Sequence, residues 1–362
     1  MVMTVPLPPD TTPDRPLRVL IPRGLAGWAT QSGIGEAIRH QTRAVQTLGH
    51  QVVTDPAEPC DVVHLNTPFP DTPLFARWAR RRRVPVLMWA HSTEEDFRDS
   101  FTGANAIAPL FRRWIAALYR LGDAVITPTE YARGIISQPA YGITRPIHVL
   151  SNGVDTDFFD ADPGARARLR HSLDLPADAP VVISVGIQMV RKGILDFVDV
   201  ARRMPEVQFV WYGHTDARLV TAPVAAAIAA APSNCHFPGH VPQPVLRDAY
   251  AGTDAFCFLT KEETEGIVVL EALACRTPVV LRDIPIYRDW LPDGQITHMV
   301  RGEGPELVAA TVARLRSILA RTAPDLTAAG RAAAEAVDLR EVAAQLAHIY
   351  RTEGITAAGV PH

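Results

Sequence analysis

The residues Ser151-Asn-Gly-Val-Asp-Thr-Asp-Phe-Phe-Asp-Ala-Asp-Pro-Gly164 interrupt the middle of a 362-residue chain with almost continuous turn chemistry. Asn, Gly, Asp and Pro supply the φ values and short-range hydrogen bonds of turns, so the stretch reads as a linker. What lies on either side of it decides the fold. Upstream, short apolar runs that read as strands (17–21, 52–53, 62–65, 84–89 and 124–127) alternate with helix-period segments (33–48, 73–82 and 107–121). Downstream the alternation restarts, with strands at 181–185, 209–212, 235–237, 255–259 and 278–281 and helices at 193–204, 219–231, 244–250 and 267–274. Such alternation builds parallel sheets from βαβ units. The reading is α/β: two Rossmann-like domains facing a central cleft, at 17–150 and 165–337, joined by the linker 151–164. A flexible leader is expected at 1–16. A C-terminal helix and tail, 338–362, can pack back on the first domain. Ligands of such sheets sit beyond the carboxyl ends of the strands, so the loops after strands carry the functional search.

Composition narrows the class. Apolar residues make up 47% and charged residues 21%, enough to fill real cores. The net charge of −3 argues against a strongly basic nucleic-acid binder, and no apolar run approaches the roughly 18 residues of a membrane span. Pro6, Pro8, Pro9, Pro13 and Pro16, with no basic residue before Arg15, do not make a secretory signal. Cys60, Cys235, Cys257 and Cys275 are scattered without a C-x-x-C, which suggests neither a disulfide frame nor a zinc site. Lys192 and Lys261 are the two lysines among 36 basic residues. A Lys retained in so Arg-rich a chain suits a site that needs a compact point charge, although a base-composition bias accounts for the ratio equally well.

Four post-strand segments could carry chemistry. Glu263-Thr-Glu-Gly-Ile-Val-Val-Leu-Glu271 lies between two apolar strands, with Gly266 turning a loop into a helix. Glu263 then projects into the cleft, and Glu271 sits in the first turns of the helix, where a carboxylate complements the positive end. Val185-Gly-Ile-Gln-Met-Val-Arg-Lys-Gly193 also follows a strand and opens a helix. Amides at a helix start suit a phosphate, and Lys192 adds charge where a diphosphate would leave. Gln31-Ser-Gly-Ile-Gly-Glu36 follows the first strand; Gly33 and Gly35 permit close backbone approach to a ligand, and a tight turn without a ligand fits equally well. His91 ends the strand 84–89, a position open to either a structural or a functional histidine. Ser92-Thr-Glu-Glu95 matches a capping box, which would explain Glu95 structurally. Asp155-Thr-Asp157 and Asp160-Ala-Asp162 invite a metal reading, but both fall in the linker, where Asp serves turns and caps.

Together the acidic loop, the Gly, the amphipathic helix and the following Cys275-Arg-Thr-Pro-Val-Val280 resemble the nucleotide-sugar signature of the family 4 glycosyltransferases, which have the GT-B fold of two Rossmann-like domains. The similarity runs from about Leu17 to Tyr350. It implies that Glu263 lies near the donor sugar, that Glu271 binds donor ribose hydroxyls, and that Lys192 and Gly193 belong to the phosphate site. Glu265, Gly266, Ile267 and Val268 join the donor-binding set by the same resemblance. The family's Arg position in the phosphate loop is Ile187 here, a departure for which Arg191 could compensate. The first glycine loop, Gly33 and Gly35, resembles the family's, and the family places a His at position 91, contacting donor sugar and acceptor. His91, Glu263 and Lys192 are thus the expected catalytic residues, with Glu94, Glu95 and Asp96 as acceptor-side candidates.

His91 to Phe101, Thr127 to Tyr131, Ser151 to Phe158 and Glu262 to Glu271 are similar to a narrower subgroup, the bacterial diacylglycerol α-glucosyltransferases. Glu265 stands where many family members carry Phe. The resemblance implies glucose transfer from UDP-glucose to diacylglycerol with retention, no metal or other cofactor, and a peripheral position on the cytoplasmic face of the cell membrane. Residues 1–150 carry 16 Arg against 13 acidic residues, net +3, whereas the remainder is acidic. Arg80, Arg81, Arg82 and Arg83 cluster with Arg77, and Phe111, Arg112, Arg113 and Trp114 interleave basic and aromatic side chains. Such segments suit an anionic membrane surface, and equally a core-facing helix with a solvated Arg side. The competing expectations are a GDP-mannose-dependent phosphatidylinositol mannosyltransferase, a GT-B sugar-nucleotide epimerase and a non-catalytic surface-binding protein.

Overall fold

The computed structural model describes residues 15–25, 33–66 and 68–357. The leader up to residue 14, and Gln31 and Ser32 of the first glycine loop, lie outside the described residues. In the first half the strands are β1 (Arg18–Leu20), β2 (Gln51–Val53), β3 (Val62–Asn66), β4 (Val86–Trp89), β5 (Ala124–Thr127) and β6 (Ile147–Val149). Between them run α1 (Gly33–Thr47), α2 (Thr72–Arg82), α3 (Glu94–Phe97), α4 (Ala104–Tyr119) and α5 (Glu130–Ile136). The second half opens with α6 (Ala165–Ser172), β7 (Val181–Val185), α7 (Ile194–Arg203), β8 (Gln208–Tyr212), α8 (Ala222–Ala229) and β9 (Cys235–Gly239). It continues through α9 (Gln243–Gly252), β10 (Ala255–Phe258), α10 (Ile267–Ala274), β11 (Val279–Arg282), α11 (Pro285–Trp290) and β12 (His298–Val300). Three helices follow: α12 (Gly304–Leu319), α13 (Thr327–Glu335) and α14 (Leu339–Thr352).

Each half forms a six-stranded parallel sheet, in the orders β2-β1-β3-β4-β5-β6 and β12-β11-β10-β7-β8-β9. Both orders reverse direction once, between β1 and β3 in the first sheet and between β7 and β10 in the second. A crevice opens outside the carboxyl ends of the strands at such a reversal. The central strands are apolar on both faces and fully buried, as parallel strands covered by helices must be. The short edge strands β6 and β12 went unread in the sequence, and so did α5, α6 and α11, which span six to eight residues and show little periodicity.

The chain crosses between the sheets twice, and the two crossings touch. Val154 N–H donates to Val337 O at 3.1 Å and Leu339 N–H to Val154 O at 3.1 Å. After the return crossing, α14 packs on α1 and buries Val342, Ala343, Leu346, Ile349 and Tyr350 in the core of the first sheet, beside Leu17, Val19, Ala44 and Val45. The linker aspartates are all engaged, some by turn amides and some by arginines of distant segments. Asp155 meets Arg43 and the Phe158 amide, Asp157 meets Arg340, Asp160 meets Arg331, and Asp162 meets Arg168 and the Gly164 amide. They serve turns and ion pairs that fix the crossing.

The capping-box reading of Ser92 and Glu95 is off by one residue. Thr93 is the N-cap, its Oγ1 accepting from Asp96 N–H at 3.0 Å, while the Ser92 carbonyl accepts from Tyr119 Oη. Glu95 is therefore not a capping partner, and its Oε2 is buried without a hydrogen bond. Glu94 is held by Arg98 at 2.6 Å and Arg112 at 2.8 Å, which makes it a brace between α3 and α4.

Candidate active site

The loops after β7 and β10 meet at the reversal of the second sheet. Lys192 Nζ lies 2.5 Å from Glu263 Oε1, and Thr260 Oγ1 donates to the same oxygen at 2.9 Å. Burial by itself would push Glu263 upward, but the Lys192 and Arg191 cations reverse this and hold its carboxyl below the ordinary range. Burial draws the Lys192 ammonium downward despite Glu263. A buried cation and a buried anion at the mouth of a parallel sheet form a charge pair that an incoming anion can rearrange. Gly193, at φ +81°, is the left-handed cap that starts α7; a Cβ there would stand 2.2 Å from Leu259 O. Its requirement is passage past β10, and it does not line the cleft.

Arg191 is committed. Its Nη1 lies 2.8 Å from Asp96 Oδ1 on α3 and donates to Glu262 O at 2.7 Å, so it ties the two halves together. The idea that it simply replaces the charge absent at Ile187 needs that tie to be released. Ile187 itself lines the cleft. From the first sheet, His91 reaches the same space from the end of β4. Its Nε2–H donates to Asn66 Oδ1 at 2.6 Å, and Asn66 Nδ2 donates to Gln41 Oε1 at 3.2 Å. Burial depresses His91 to about 4, so the ring is neutral. Sequence reading missed Asn66, although its place at the carboxyl end of β3, beside the reversal, is where a polar residue is conspicuous.

Glu271, inside α10, accepts from Tyr250 Oη at 2.8 Å and is pushed up to about 7 by burial. Glu265 is 1% exposed, and its carboxylate is held by the crossing between the sheets. Ser151 Oγ donates to it at 2.5 Å and Asn152 Nδ2 at 2.6 Å, and burial again pushes it to about 7. Gly33, His91, Arg191, Lys192, Glu263, Glu265, Gly266, Ile267, Val268 and Glu271 thus line one cavity of about 320 Å³. It adjoins a second of about 310 Å³ with Glu36, Arg39 and Glu271 in common. Gly35 is buried within α1 and does not line either cavity.

The expected acceptor face is partly redrawn. Phe111 stacks on Phe97 at 3.9 Å and Arg112 pairs with Glu94, so both turn inward. The outward stripe of α4 is Ile107, Leu110 and Trp114, with Leu74 of α2 also exposed. Arg80, Arg81, Arg82, Arg83 and Arg113 are exposed, Arg82 resting on the Trp78 ring at 4.6 Å. Among the described residues no helix is long and apolar enough to cross a membrane.

Two parallel-sheet domains meeting over a cleft that holds a buried Lys–Glu pair make the architecture of a GT-B protein. The family model for Glycosyltransferase Family 4 matches residues 54–158, and that for Glycosyl transferases group 1 matches 165–328. The processive diacylglycerol alpha-glucosyltransferase of Acholeplasma laidlawii is 40% identical over 275 residues, covering 76% of this chain and 81% of that protein. The phosphatidyl-myo-inositol mannosyltransferase of Mycobacterium tuberculosis is 32% identical, covering 72% of this chain and 62% of that one. Among solved structures, the sucrose-phosphate synthase of Thermosynechococcus elongatus superposes with a TM-score of 0.74 at 18% identity, over 93% and 99% of the two chains. Anabaena HepE, solved with UDP and glucose, gives 0.74 at 14% identity, over 93% and 100%. These two likenesses are of fold. The chain belongs to glycosyltransferase family 4 and is a hexosyltransferase.

Proposed function

We propose that this enzyme transfers glucose from UDP-glucose to the free hydroxyl of diacylglycerol, with retention of the α configuration, as a peripheral protein on the cytoplasmic face of the membrane. The observation that carries the reading is the buried Lys192–Glu263 pair at the reversal of the second sheet, in a chain 40% identical to a protein named as a diacylglycerol alpha-glucosyltransferase. The donor diphosphate lies against the loop 186–193, where Lys192 exchanges Glu263 for a phosphate oxygen. It then stabilises the charge that builds on the leaving group, in a site shielded from water. Glu263, released from the ammonium, turns to the sugar. Neutral His91 faces the sugar and acceptor from the other domain, and Glu271 accepts from ribose hydroxyls. Meeting of the domains excludes water that would hydrolyse the donor. Charge stabilisation rests on side chains and amides, and the reaction proceeds without a metal ion. The stripe Ile107, Leu110 and Trp114 with the exposed arginines rests on anionic lipid, where apolar and basic groups both gain.

Calorimetric titration of the purified enzyme tests the donor. UDP should bind at least tenfold more tightly than GDP; preference for GDP would move the reading to a mannosyltransferase. Proton NMR of the glycolipid product tests retention, and a β anomer would overturn it.

A further inference from the structure

Three consecutive residues of the donor loop are fastened to three different places. Glu263 pairs with Lys192. Thr264 is held by the first domain, its carbonyl accepting from Thr129 Oγ1 at 2.9 Å and its Oγ1 donating to His91 O at 3.3 Å. Glu265 is held by the crossing between the domains. Ser151 Oγ donates to its Oε1 at 2.5 Å, Asn152 N–H to its two oxygens at 3.2 and 3.1 Å, and Asn152 Nδ2 to Oε2 at 2.6 Å. Ser151 Oγ in turn accepts from Gly153 N–H at 2.9 Å, and Gly153 O accepts from His40 Nδ1–H of α1 at 3.0 Å.

We infer that Glu265 is a positioning residue, an acceptor-only latch that fixes the donor loop to the interdomain crossing and so places Glu263 only when the crossing holds this conformation. The inference rests on the donor-site reading of Glu263 and goes beyond it. Three donors converge on the Glu265 oxygens; the ionised carboxylate, which has no proton to offer, satisfies all of them, and because burial pushes the group up to about 7 the latch is complete on the alkaline side of neutrality. With both oxygens occupied, Glu265 is not a sugar-binding group even though it lines the cleft. Its short tether to Glu263, a single intervening residue, makes the crossing and the Lys192 partner parts of one assembly. A shift of the crossing would be felt at the reacting centre, where misplacement by about 1 Å is enough to cost two orders of magnitude in rate.

The test exchanges donor and acceptor. Glu265→Gln keeps the shape but replaces one of the two acceptor oxygens with an NH2 group, so that Ser151 Oγ or Asn152 Nδ2 loses its acceptor or must turn over to keep the leg; Asn152→Asp in the same chain offers that NH2 group a carboxylate, with the roles reversed. We expect turnover with UDP-glucose to fall at least tenfold in Glu265→Gln, while UDP, which has no sugar to meet Glu263, binds within twofold of the parent. The double variant should recover most of the lost turnover. Ser151→Ala, a milder cut at the same latch, should lose turnover in the same sense and add little to Glu265→Gln. Unchanged turnover in a folded Glu265→Gln protein overturns the latch. So does equal loss of UDP binding and turnover, or a double variant no better than the single. If Glu263→Gln itself leaves turnover intact, it is the donor-site reading that fails, separately from the latch.

Discussion

Lys192 and Glu263 pair before any substrate arrives, with Arg191 3.8 Å from the same carboxylate, so loss of either partner unbalances a buried charge cluster. Lys192→Ala and Glu263→Gln should each lower turnover on the order of a hundredfold or more, the usual worth of one preorganised charge-stabilising group; steady-state kinetics of both variants, with circular dichroism to confirm folding, checks this. Glu271 offers a prediction with opposite signs in two assays. Burial lifts its carboxyl from 4.5 to about 7 in the folded state. Between those values the folded protein holds a proton that the unfolded chain has released, so this group's contribution to stability falls as pH rises through 7. Glu271→Gln, neutral at all pH, should therefore raise the melting temperature of the ligand-free enzyme at pH 8 and leave it nearly unchanged at pH 5, as differential scanning calorimetry will read. Donor affinity should move the other way, weakest in the variant and falling in the parent as pH drops below 7. At this scale, residue type and position drew attention to Glu263, Glu271, Lys192 and His91 without deciding their roles; the family resemblance made them donor-site candidates, and the structure gathers all four around one cavity. The part played by Asn66 and the commitments of Arg191 and Glu265 were not legible, because each depends on partners 25 to 114 residues away.

Short elements are where local signals misled. The Ser92–Glu95 spacing satisfied a capping-box pattern, but Tyr119 and Tyr141 reach in from distant segments to hold Ser92 and Glu94, and α3 begins one residue later. Thr93→Ala should cost about 1 kcal/mol, the ordinary value of an N-cap hydroxyl, and Ser92→Ala much less. Urea denaturation midpoints of the two variants decide between the registers. The longer helices read correctly because burial of one face imposes a period of its own, and the central strands because burial of both faces leaves short continuous apolar runs. α4 illustrates the limit: its periodicity marked a helix, yet which Arg and aromatic side chains faced outward depended on where Phe97 and Glu94 stood.

Across the whole molecule, alternation of strands and helices on either side of a turn-rich linker was enough to read two α/β halves, while strand order was beyond it. The sheets reverse at different places, and the reversal between β7 and β10 puts the loops 186–193 and 259–266 side by side. The outward stripe on α4 gives a prediction at this scale. Replacing Leu110 and Trp114 by Gln should reduce sedimentation with phosphatidylglycerol vesicles severalfold and leave UDP binding unchanged, because the stripe lies outside the cleft lining. Equal sedimentation of variant and parent would place membrane contact elsewhere. The central claim is the reaction itself. Purified enzyme should be incubated with radiolabelled UDP-glucose and diacylglycerol in mixed micelles containing an anionic lipid, with chelator and no added metal. Label that enters the organic phase and disappears when diacylglycerol is omitted is the predicted result; label that stays in the aqueous phase under these conditions would contradict it.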